Sequence, residues 1–508
     1  MRRWLVTTWM AAALTACGGG GGGTSAGLPA APVTGATGSG VPLPEPPEVT
    51  AVAGVATVAL TARIDPATAM PTFVYRGQRG IMPTIRVRPG DSIVVDVAND
   101  LPAAGGRASD LNLHFHGLTV SPQPPADDVL TTLALPGNSL HYVVPIPKSQ
   151  EPGLYWYHPH VFPQTDFQVG QAGMSGAIVV AGLNRHLPAL AKMKERLIVV
   201  RDVASTVADA IRVRPNEEEN NNPCGPDPGL QVTVNGAVRP SIAIGRGERQ
   251  FFRVVNATGH KNLKLAVDGE SLDLVAVDGF GLDVYPGTGP TQTVRSIVVP
   301  PAGRAEFVVT GSGAPAAFRT LCYDSGPGGD PDPPSVLADL QPAAGQSRQT
   351  GTRAQTALRV GAPLPNNAFS GPLLRIAAHR TVVLDEDDNG MYINGKRFDM
   401  SAPPMFTVRV GTVEEWQIVN VTQEDHDFHI HQTHFLVQQI NGVTVPHPHW
   451  ADSAVVPHRI PGKNGSWKPG YLTMLIDFRD PVIKGEFMFH CHILDHEDAG
   501  MMAKIRAI

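Results

Sequence analysis

A chain of 508 residues containing 53 Gly and 47 Pro is too long for one ordinary core and too rich in turn formers for long helices. Several domains of many short strands are therefore expected. The net charge of −6 is mild and no basic stripe is present, which leaves nucleic acid out as a partner.

The chain opens with Met1-Arg2-Arg3 and an apolar run from Trp4 to Ala16, a secretory signal too short to span a bilayer. Leu14-Thr15-Ala16-Cys17 is similar to the bacterial lipobox, whose cysteine becomes the lipidated first residue; an ordinary signal peptide with an incidental cysteine is the alternative. Gly18 to Gly23 and the Ala/Pro/Gly-rich run to about Pro47 read as a tether.

An internal repeat follows. Thr84-Ile85-Arg86-Val87-Arg88-Pro89-Gly90-Asp91 through Asn99, Ser241-Ile242-Ala243-Ile244-Gly245-Arg246-Gly247-Glu248 through Asn256, and Phe406-Thr407-Val408-Arg409-Val410-Gly411 through Asn420 share one plan. Each has an alternating strand, a Gly turn, a second alternating strand and a closing Asn, which predicts a β-hairpin. Three copies predict three similar β-sandwich barrels. They are placed at 51–183, 184–345 and 366–508, after a signal peptide and tether (1–50) and with a linker at 346–365.

The first of these domains carries His114-Phe115-His116-Gly117 and His158-Pro159-His160, each offering two imidazoles on one face of a strand. The second carries no such motif and is expected to act mainly as a spacer; its Arg214–Gly229 loop, with Glu217-Glu218-Glu219, reads as solvated acid. In the third, Asp385-Glu386-Asp387-Asp388-Asn389-Gly390 lacks the spacing of a calcium loop and reads as a hairpin turn. His426-Asp427-Phe428-His429-Ile430-His431 places His429 and His431 on one face and His426 on the other. With 18 His in the chain, about 0.6 H-x-H pairs arise by chance. His447-Pro448-His449, without neighbouring pattern, is taken as that chance loop feature. His434, His458, His141, His186, His260 and His379 are assigned to packing or hydrogen bonding.

Phe489-His490-Cys491-His492 with His496 and Met501 is the most informative stretch. If 487–492 is extended, His490 and His492 face one way and Cys491 the other. Cys491, His496 and Met501, completed by His426, are soft and borderline ligands suited to a blue-copper site, which leaves two imidazoles for other metal ions behind it. Because the first and third domains each carry two motifs, a shared cluster must lie between them.

These motifs, H-x-H-G, H-x-H, H-x-x-H-x-H and H-C-H-x-x-x-H-x-x-x-x-M in that order, resemble the multicopper oxidases, specifically their three-domain laccase-like group in a bacterial lipoprotein form, over about residues 50 to 508. The resemblance implies an all-β fold of three consecutive cupredoxin-like Greek-key sandwiches and four copper ions. His426, Cys491, His496 and axial Met501 match the type 1 ligands; His114 and His429 match type 2. His116, His158 and His492 match one type 3 ion, and His160, His431 and His490 the other. Asp127 falls where the family often has an acid near the type 2 ion, and Glu497 matches an acid near the oxygen site; both are expected to relay protons. Gln432 stands where the family often has Gly. Axial Met501 implies a lower type 1 potential than Leu or Phe would give.

The implied activity is oxidation of phenols, aromatic amines or metal ions such as Cu(I), Fe(II) or Mn(II), coupled to four-electron reduction of O2 to water. A non-enzymatic copper-binding lipoprotein is the alternative, but the 13 Met are scattered and no ligand is missing. With Cys17 assigned to lipid and Cys491 to copper, Cys224 and Cys322 remain as one even pair. A disulfide in an oxidising periplasm or two unrelated thiols are both open. A monomer is expected, periplasmic or held at the outer membrane through Cys17. The acids around His426 and His496, namely Glu424, Asp425, Asp427, Asp495, Glu497 and Asp498, are expected to favour cationic reductants if at least two line the mouth.

Overall fold

The computed structural model of the protein describes residues 40–80, 82–103, 109–206, 222–226, 230–284, 289–343 and 375–508. The signal segment with Cys17, most of the Arg214–Gly229 loop and the 346–365 linker lie outside the described residues.

Strands that alternate apolar and polar residues have one face to bury, and two such faces must meet. Val55–Ile64 shows the pattern, with Ala56, Val58, Leu60 and Ala62 buried and Val55, Thr57 and Ala59 exposed. Among the described residues the larger sheets form three pairs. The first pair is a four-stranded sheet in the order Glu48–Thr50, Thr84–Val87, Gly176–Val180, Gly153–Tyr157 and a five-stranded sheet centred on Val55–Ile64. The second has a seven-stranded sheet built on Lys194–Ala204, Arg249–Asn256, Arg304–Thr310 and Leu272–Val277, facing a five-stranded one. The third repeats that strand order: Ile376–Asp387, Thr412–Asn420, Gly470–Phe478 and Phe435–Ile440 on one side, and Phe406–Val408, Met502–Ala507, Gly485–Cys491, His426–Ile430 and Ser453–Val456 on the other. Each pair encloses its own apolar core. The expected all-β architecture of three consecutive Greek-key sandwiches is present.

The repeated segment is not a hairpin. In every copy its first strand (Thr84–Val87, Ser241–Ile244, Phe406–Val408) and its second (Ser92–Asn99, Arg249–Asn256, Thr412–Asn420) belong to different sheets. The turn carries Gly90, Gly247 or Gly411 at φ 95°, 70° and 87°, a left-handed conformation that glycine adopts without steric cost. It takes the chain across the core. Alternation is the same in a hairpin and in such a corner, because both lay one face of each strand on apolar ground. The pattern alone cannot separate them.

The Asn that closes each copy is a buried keystone. Asn99 Nδ2 donates to the carbonyls of Ser109 and Ala134, and its Oδ1 accepts from Leu101 N–H. Asn256 does the same for Lys261, Val299 and Thr258, and Asn420 for Glu424, Val456 and Thr422. In each case one side chain ties backbone groups of the following loop to a carbonyl much further along the chain, satisfying buried polar groups. In the third sandwich that loop delivers His426.

Val41 and Leu43 bond the backbone of Ser241, Leu43 enters the second core, and Glu48–Thr50 pairs with Thr84–Val87, so the stretch read as tether is part of the folded body from residue 41. Cys224 and Cys322 are disulfide-bonded, while Cys491 is free and buried. The Asn389-Gly390 turn joins Ile376–Asp387 to Gly390–Ile393 as a hairpin.

Asn256 lies in the sandwich without His motifs, so its role can be measured apart from metal. Asn256→Ala removes the side chain that bonds two buried carbonyls and the Thr258 N–H, leaving the Thr258 hydroxyl only its longer contact with Lys261 O, and is expected to lower unfolding stability by about 3 kcal/mol. Urea unfolding of the copper-free protein followed by intrinsic fluorescence gives the value; a change under about 0.5 kcal/mol, that of an ordinary surface substitution, contradicts the keystone role.

Candidate metal centre

Five short backbone pairings set the site. In the first sandwich His114 and His158 bridge each other in both directions, at 2.8 and 3.1 Å, and His116 N–H donates to Trp156 O. In the third, His429 stands opposite His490 in register, His431 N–H donates to Met488 O, and His492 N–H donates to Asp427 O. Strand parity sorts the side chains as the sequence suggests. Phe487, Phe489 and Cys491 point into the third core with Phe428, Ile430 and Met501, while His490, His492, His429 and His431 leave by the opposite face.

On that face the first and third sandwiches meet ring to ring. His114 stacks on His431 at 3.8 Å between centroids, and His116 on His429 at 3.9 Å. All eight imidazoles, His114, His116, His158, His160, His429, His431, His490 and His492, are buried. His160 Nε2 and His431 Nε2 each lie 3.2 Å from His490 Nε2. The ligand atoms of His114, His429 and His431 lie within 4.8 Å of one another, as do those of His114, His116 and His158. His492 joins this second group, its ring centroid 5.1 Å from that of His116 and 5.6 Å from that of His158.

Outer nitrogens are anchored. His114 Nδ1 donates to Asp127 at 3.0 Å, His158 Nδ1 to Pro159 O, His429 Nδ1 to Asp452 O, and His490 Nδ1 to Cys491 O, with Glu497 Oε2 3.0 Å away. Inner nitrogens are not: Nε2 of His114, His116, His158 and His429 and both ring nitrogens of His492 are buried without a hydrogen-bond partner. Burial first, and then the neighbouring imidazoles, hold His116, His158, His429, His431 and His492 well below the usual histidine value, so these rings are neutral and offer lone pairs. Burial brings His160 to about 4 against the opposing charge of Glu497. Converging lone pairs with no proton to share are an unfavourable arrangement that a cation relieves, and imidazole suits copper. The residues present fit that metal.

A second donor set lies on the core side of the same strand. Cys491 Sγ is 3.7 Å from His426 Nδ1 and 3.8 Å from His496 Nδ1, which are 3.1 Å apart. Burial, then Asp427, pushes the Cys491 thiol well up, so the sulfur needs a cation to ionise. Met501 is fully buried in the same core, and its carbonyl accepts Cys491 N–H. The two imidazoles differ outside: His426 Nε2 meets the buried Thr422 hydroxyl at 3.0 Å, whereas His496 Nε2 meets the Glu424 carboxylate at 3.3 Å.

The predicted acids divide. Asp127 and Glu497 both touch the imidazole cluster; Glu497 lies between His160 and His490 and accepts the Thr165 hydroxyl. Burial opposes its charge, but His160 and His490 outweigh it and hold the carboxyl well below its usual range. Of the other acids around the Cys491 set, Asp425 is taken by Tyr323 and His458, Asp498 caps Thr165 and Asp166, and Asp427 is wholly buried. Glu424 and Asp495 remain near His496. Two acids the sequence reading missed join them. Burial, then Glu386, Asp330 and Asp495, raises the Glu424 carboxyl well above its ordinary value. Glu386 comes from the end of strand Ile376–Asp387, beside the Asn389-Gly390 turn, and Asp330 from the second sandwich. Their sequence spacing carries no signal of this meeting.

The second sandwich is more than a spacer. Its Arg304, fully buried, forms a two-pronged ion pair with Asp452, with its Nη1 3.4 Å from His116 Nδ1. Asp452 in turn holds His429, and its carboxylate lies 3.6 Å from His434 Nε2. Gly117 of the first motif owes its place to this pair: at φ 83°, a Cβ would lie 2.5 Å from Arg304 and 2.7 Å from Asp452. An Arg in the apolar run Arg304–Thr310 was the available signal. The remaining histidines behave as assigned, His141, His186, His260 and His379 pairing with Asp96, Asp283, Asp202 and Glu415, and His447-Pro448-His449 lying in a loop.

Arg304→Met removes one partner of a buried ion pair and is expected to cost about 3–5 kcal/mol in the copper-free protein. Pairing it with Asp452→Asn is expected to restore part of that loss. Thermal unfolding of the two variants checks both, and equal stability of single mutant and wild type contradicts the strut.

Three sequence profiles described as multicopper oxidase match residues 60–185, 156–339 and 374–507. The chain is 25% identical over 442 residues to "Multicopper oxidase mco" of Staphylococcus aureus, covering 86% of this chain and 83% of that one. It is 26% identical over 494 residues to "Laccase" of Bacillus subtilis, covering 85% and 90%. Among solved structures, "Multicopper oxidase from Campylobacter jejuni: a metallo-oxidase" superposes with a TM-score of 0.68 at 23% identity, over 92% of this chain and 95% of that one. Since these profiles take in the motif-free second sandwich as well as the two that carry the imidazoles, the chain belongs to the multicopper oxidases, enzymes that use copper to oxidise a reducing substrate with dioxygen.

Proposed function

We propose that His426, Cys491, His496 and Met501 hold a type 1 copper, that His114 and His429 hold a type 2 copper, and that His116, His158, His492 and His160, His431, His490 hold two type 3 coppers, four ions in all. When bound, the ions supply one-electron oxidation of the reductant at the first site and four-electron reduction of dioxygen to water at the other three. The observation that carries this reading is the closeness of Cys491 Sγ to two imidazole nitrogens on one face of a strand whose other face presents His490 and His492.

The residues divide the work. Cys491 is covalently continuous with both His490 and His492, and the bond from His490 Nδ1 to Cys491 O adds a second connection between the two donor sets. Glu497, placed against His160 and His490 and steadied by Thr165, is the acid we assign to holding and moving protons at the cluster. Asp127 does so at His114 and fixes its ring orientation. Burial of all eight rings keeps bulk water from competing for their lone pairs.

We read the reductant as a cation, a metal ion such as Cu(I), Fe(II) or Mn(II) or an aromatic amine. Glu424 contacts the outer nitrogen of His496, and Glu386, Asp330 and Asp495 add three carboxyls whose summed field attracts positive charge to that edge. The Campylobacter protein of the same fold is called a metallo-oxidase in its description, which agrees with this choice. We further place the chain as a monomer in the bacterial periplasm, or anchored at the outer membrane by a lipid on Cys17. No helix among the described residues is long and apolar enough to cross a membrane.

Cys491→Ser is expected to abolish the intense visible absorption and oxygen consumption together, since both depend on the sulfur; a surviving blue band refutes the ligand assignment. Met501→Leu is expected to raise the type 1 potential in a redox titration, because a weak donor that favours the oxidised ion is lost; an unchanged potential moves the axial role elsewhere. For the substrate, Glu424→Gln/Asp330→Asn is expected to weaken apparent affinity for a cationic reductant and to flatten its dependence on salt, while an anionic sulfonated dye shows the opposite trend. Equal salt dependence for both reductants, unmoved by the double substitution, removes the cation preference.

A further inference from the structure

Gln432 is the residue at which this chain departs from the glycine that commonly follows the third motif. Its backbone lies at φ 57°, a left-handed conformation that a long side chain adopts only with strain. The side chain is buried, and its Oε1 has no hydrogen-bond partner. Both features oppose folding. One contact offsets them. Gln432 Nε2 donates to Asp127 Oδ2 at 2.5 Å, across the junction of the third sandwich with the first.

Asp127 Oδ1 already accepts Phe115 N–H at 2.9 Å, and His114 Nδ1 lies 3.0 Å from both carboxylate oxygens. Phe115 N–H on Oδ1 and the Gln432 amide on Oδ2 hold the carboxylate at both ends, and this fixes the plane of the group that orients the His114 ring. That ring stacks on His431, the residue immediately before Gln432, at 3.8 Å. The latch closes a small loop of contacts: His114 to Asp127, Asp127 to Gln432, Gln432 along the chain to His431, and His431 back onto His114. With glycine at 432 the backbone would relax and the loop would be open.

We propose that Gln432 is a positioning residue: its amide locks Asp127 and thereby preorganises His114 for the ion it shares with His429, at the expense of local stability. The proposal rests on the ligand assignment given above. It does not depend on Asp127 gaining or losing a proton.

Two substitutions separate latch from fold. Gln432→Gly removes the amide and relieves the backbone; Gln432→Met removes the amide, keeps the length and leaves the backbone strained. Each copper-loaded variant is challenged with a chelator while copper content, the type 2 electron paramagnetic resonance signal and the blue band are followed, and the copper-free forms are unfolded by heat. Both variants are expected to lose the type 2 signal about tenfold faster than wild type, as for other outer partners of a metal-bound histidine, with altered hyperfine splitting and the blue band decaying at the wild-type rate. Copper-free Gln432→Gly is expected to match or exceed wild type in unfolding temperature and to exceed Gln432→Met. A type 2 signal unchanged in rate and splitting in Gln432→Gly overturns the proposal, and so does a loss of the type 2 signal and the blue band in step with a lowered unfolding temperature, which marks a merely structural role. His114→Ala serves as the separate control: if it keeps the type 2 signal, the ligand assignment itself fails, whatever Gln432 does.

Discussion

The structure depends on one electrostatic constraint: eight imidazoles are buried at a single junction, and the inner nitrogens of His114, His116, His158, His429 and His492 face it without a hydrogen-bond partner. Without a cation this arrangement is unfavourable, because buried polar atoms are left unpaired. It persists because the outer side of the cluster is held by groups that do not move: backbone carbonyls of Pro159, Asp452 and Cys491, and the carboxylates of Asp127 and Glu497. Such anchoring fixes ring orientation before any metal arrives. The stacking of His114 on His431 and of His116 on His429 then makes the junction of two sandwiches and the site one object.

Repetition supplies the scaffold at little cost in new design. The same corner turn and the same buried Asn recur at Asn99, Asn256 and Asn420, so each copy presents a loop at the same end of a sandwich. What the copies do with that loop differs. In the third it leads to His426, and in the second to Thr258 and Lys261, which bond to Asn256 and to each other. Yet the second sandwich takes part in both donor sets, through Arg304 behind His116 and through Asp330 beside Glu424. A copy without ligands thus supplies the fixed positive charge that holds Asp452 and part of the negative charge near His496.

The strand Gly485–Cys491 couples the two sets because a strand has two faces. Cys491 looks into an apolar core that keeps its sulfur dry, while its neighbours look into the histidine junction. The two imidazoles differ in their outer partners, His426 Nε2 meeting the Thr422 hydroxyl and His496 Nε2 the Glu424 carboxyl.

Much of this was legible in the residues themselves. Period-two alternation decides which neighbours share a face, so the division of Cys491 from His490 and His492, and of His426 from His429 and His431, follows from sequence position alone. The threefold repeat and the distribution of motifs likewise place the cluster between the first and third sandwiches. Tertiary structure decided the rest, for a physical reason common to each case. Whether the Gly90, Gly247 and Gly411 turns make hairpins or corners depends on which sheet accepts the next strand, and alternation is blind to that. Which of many acids reach His496, and that Arg304 reaches Asp452 from 148 residues away, depends on how whole sandwiches pack. Side-chain chemistry and parity are local and can be read along the chain, whereas the partner of a buried charge is set by three-dimensional packing.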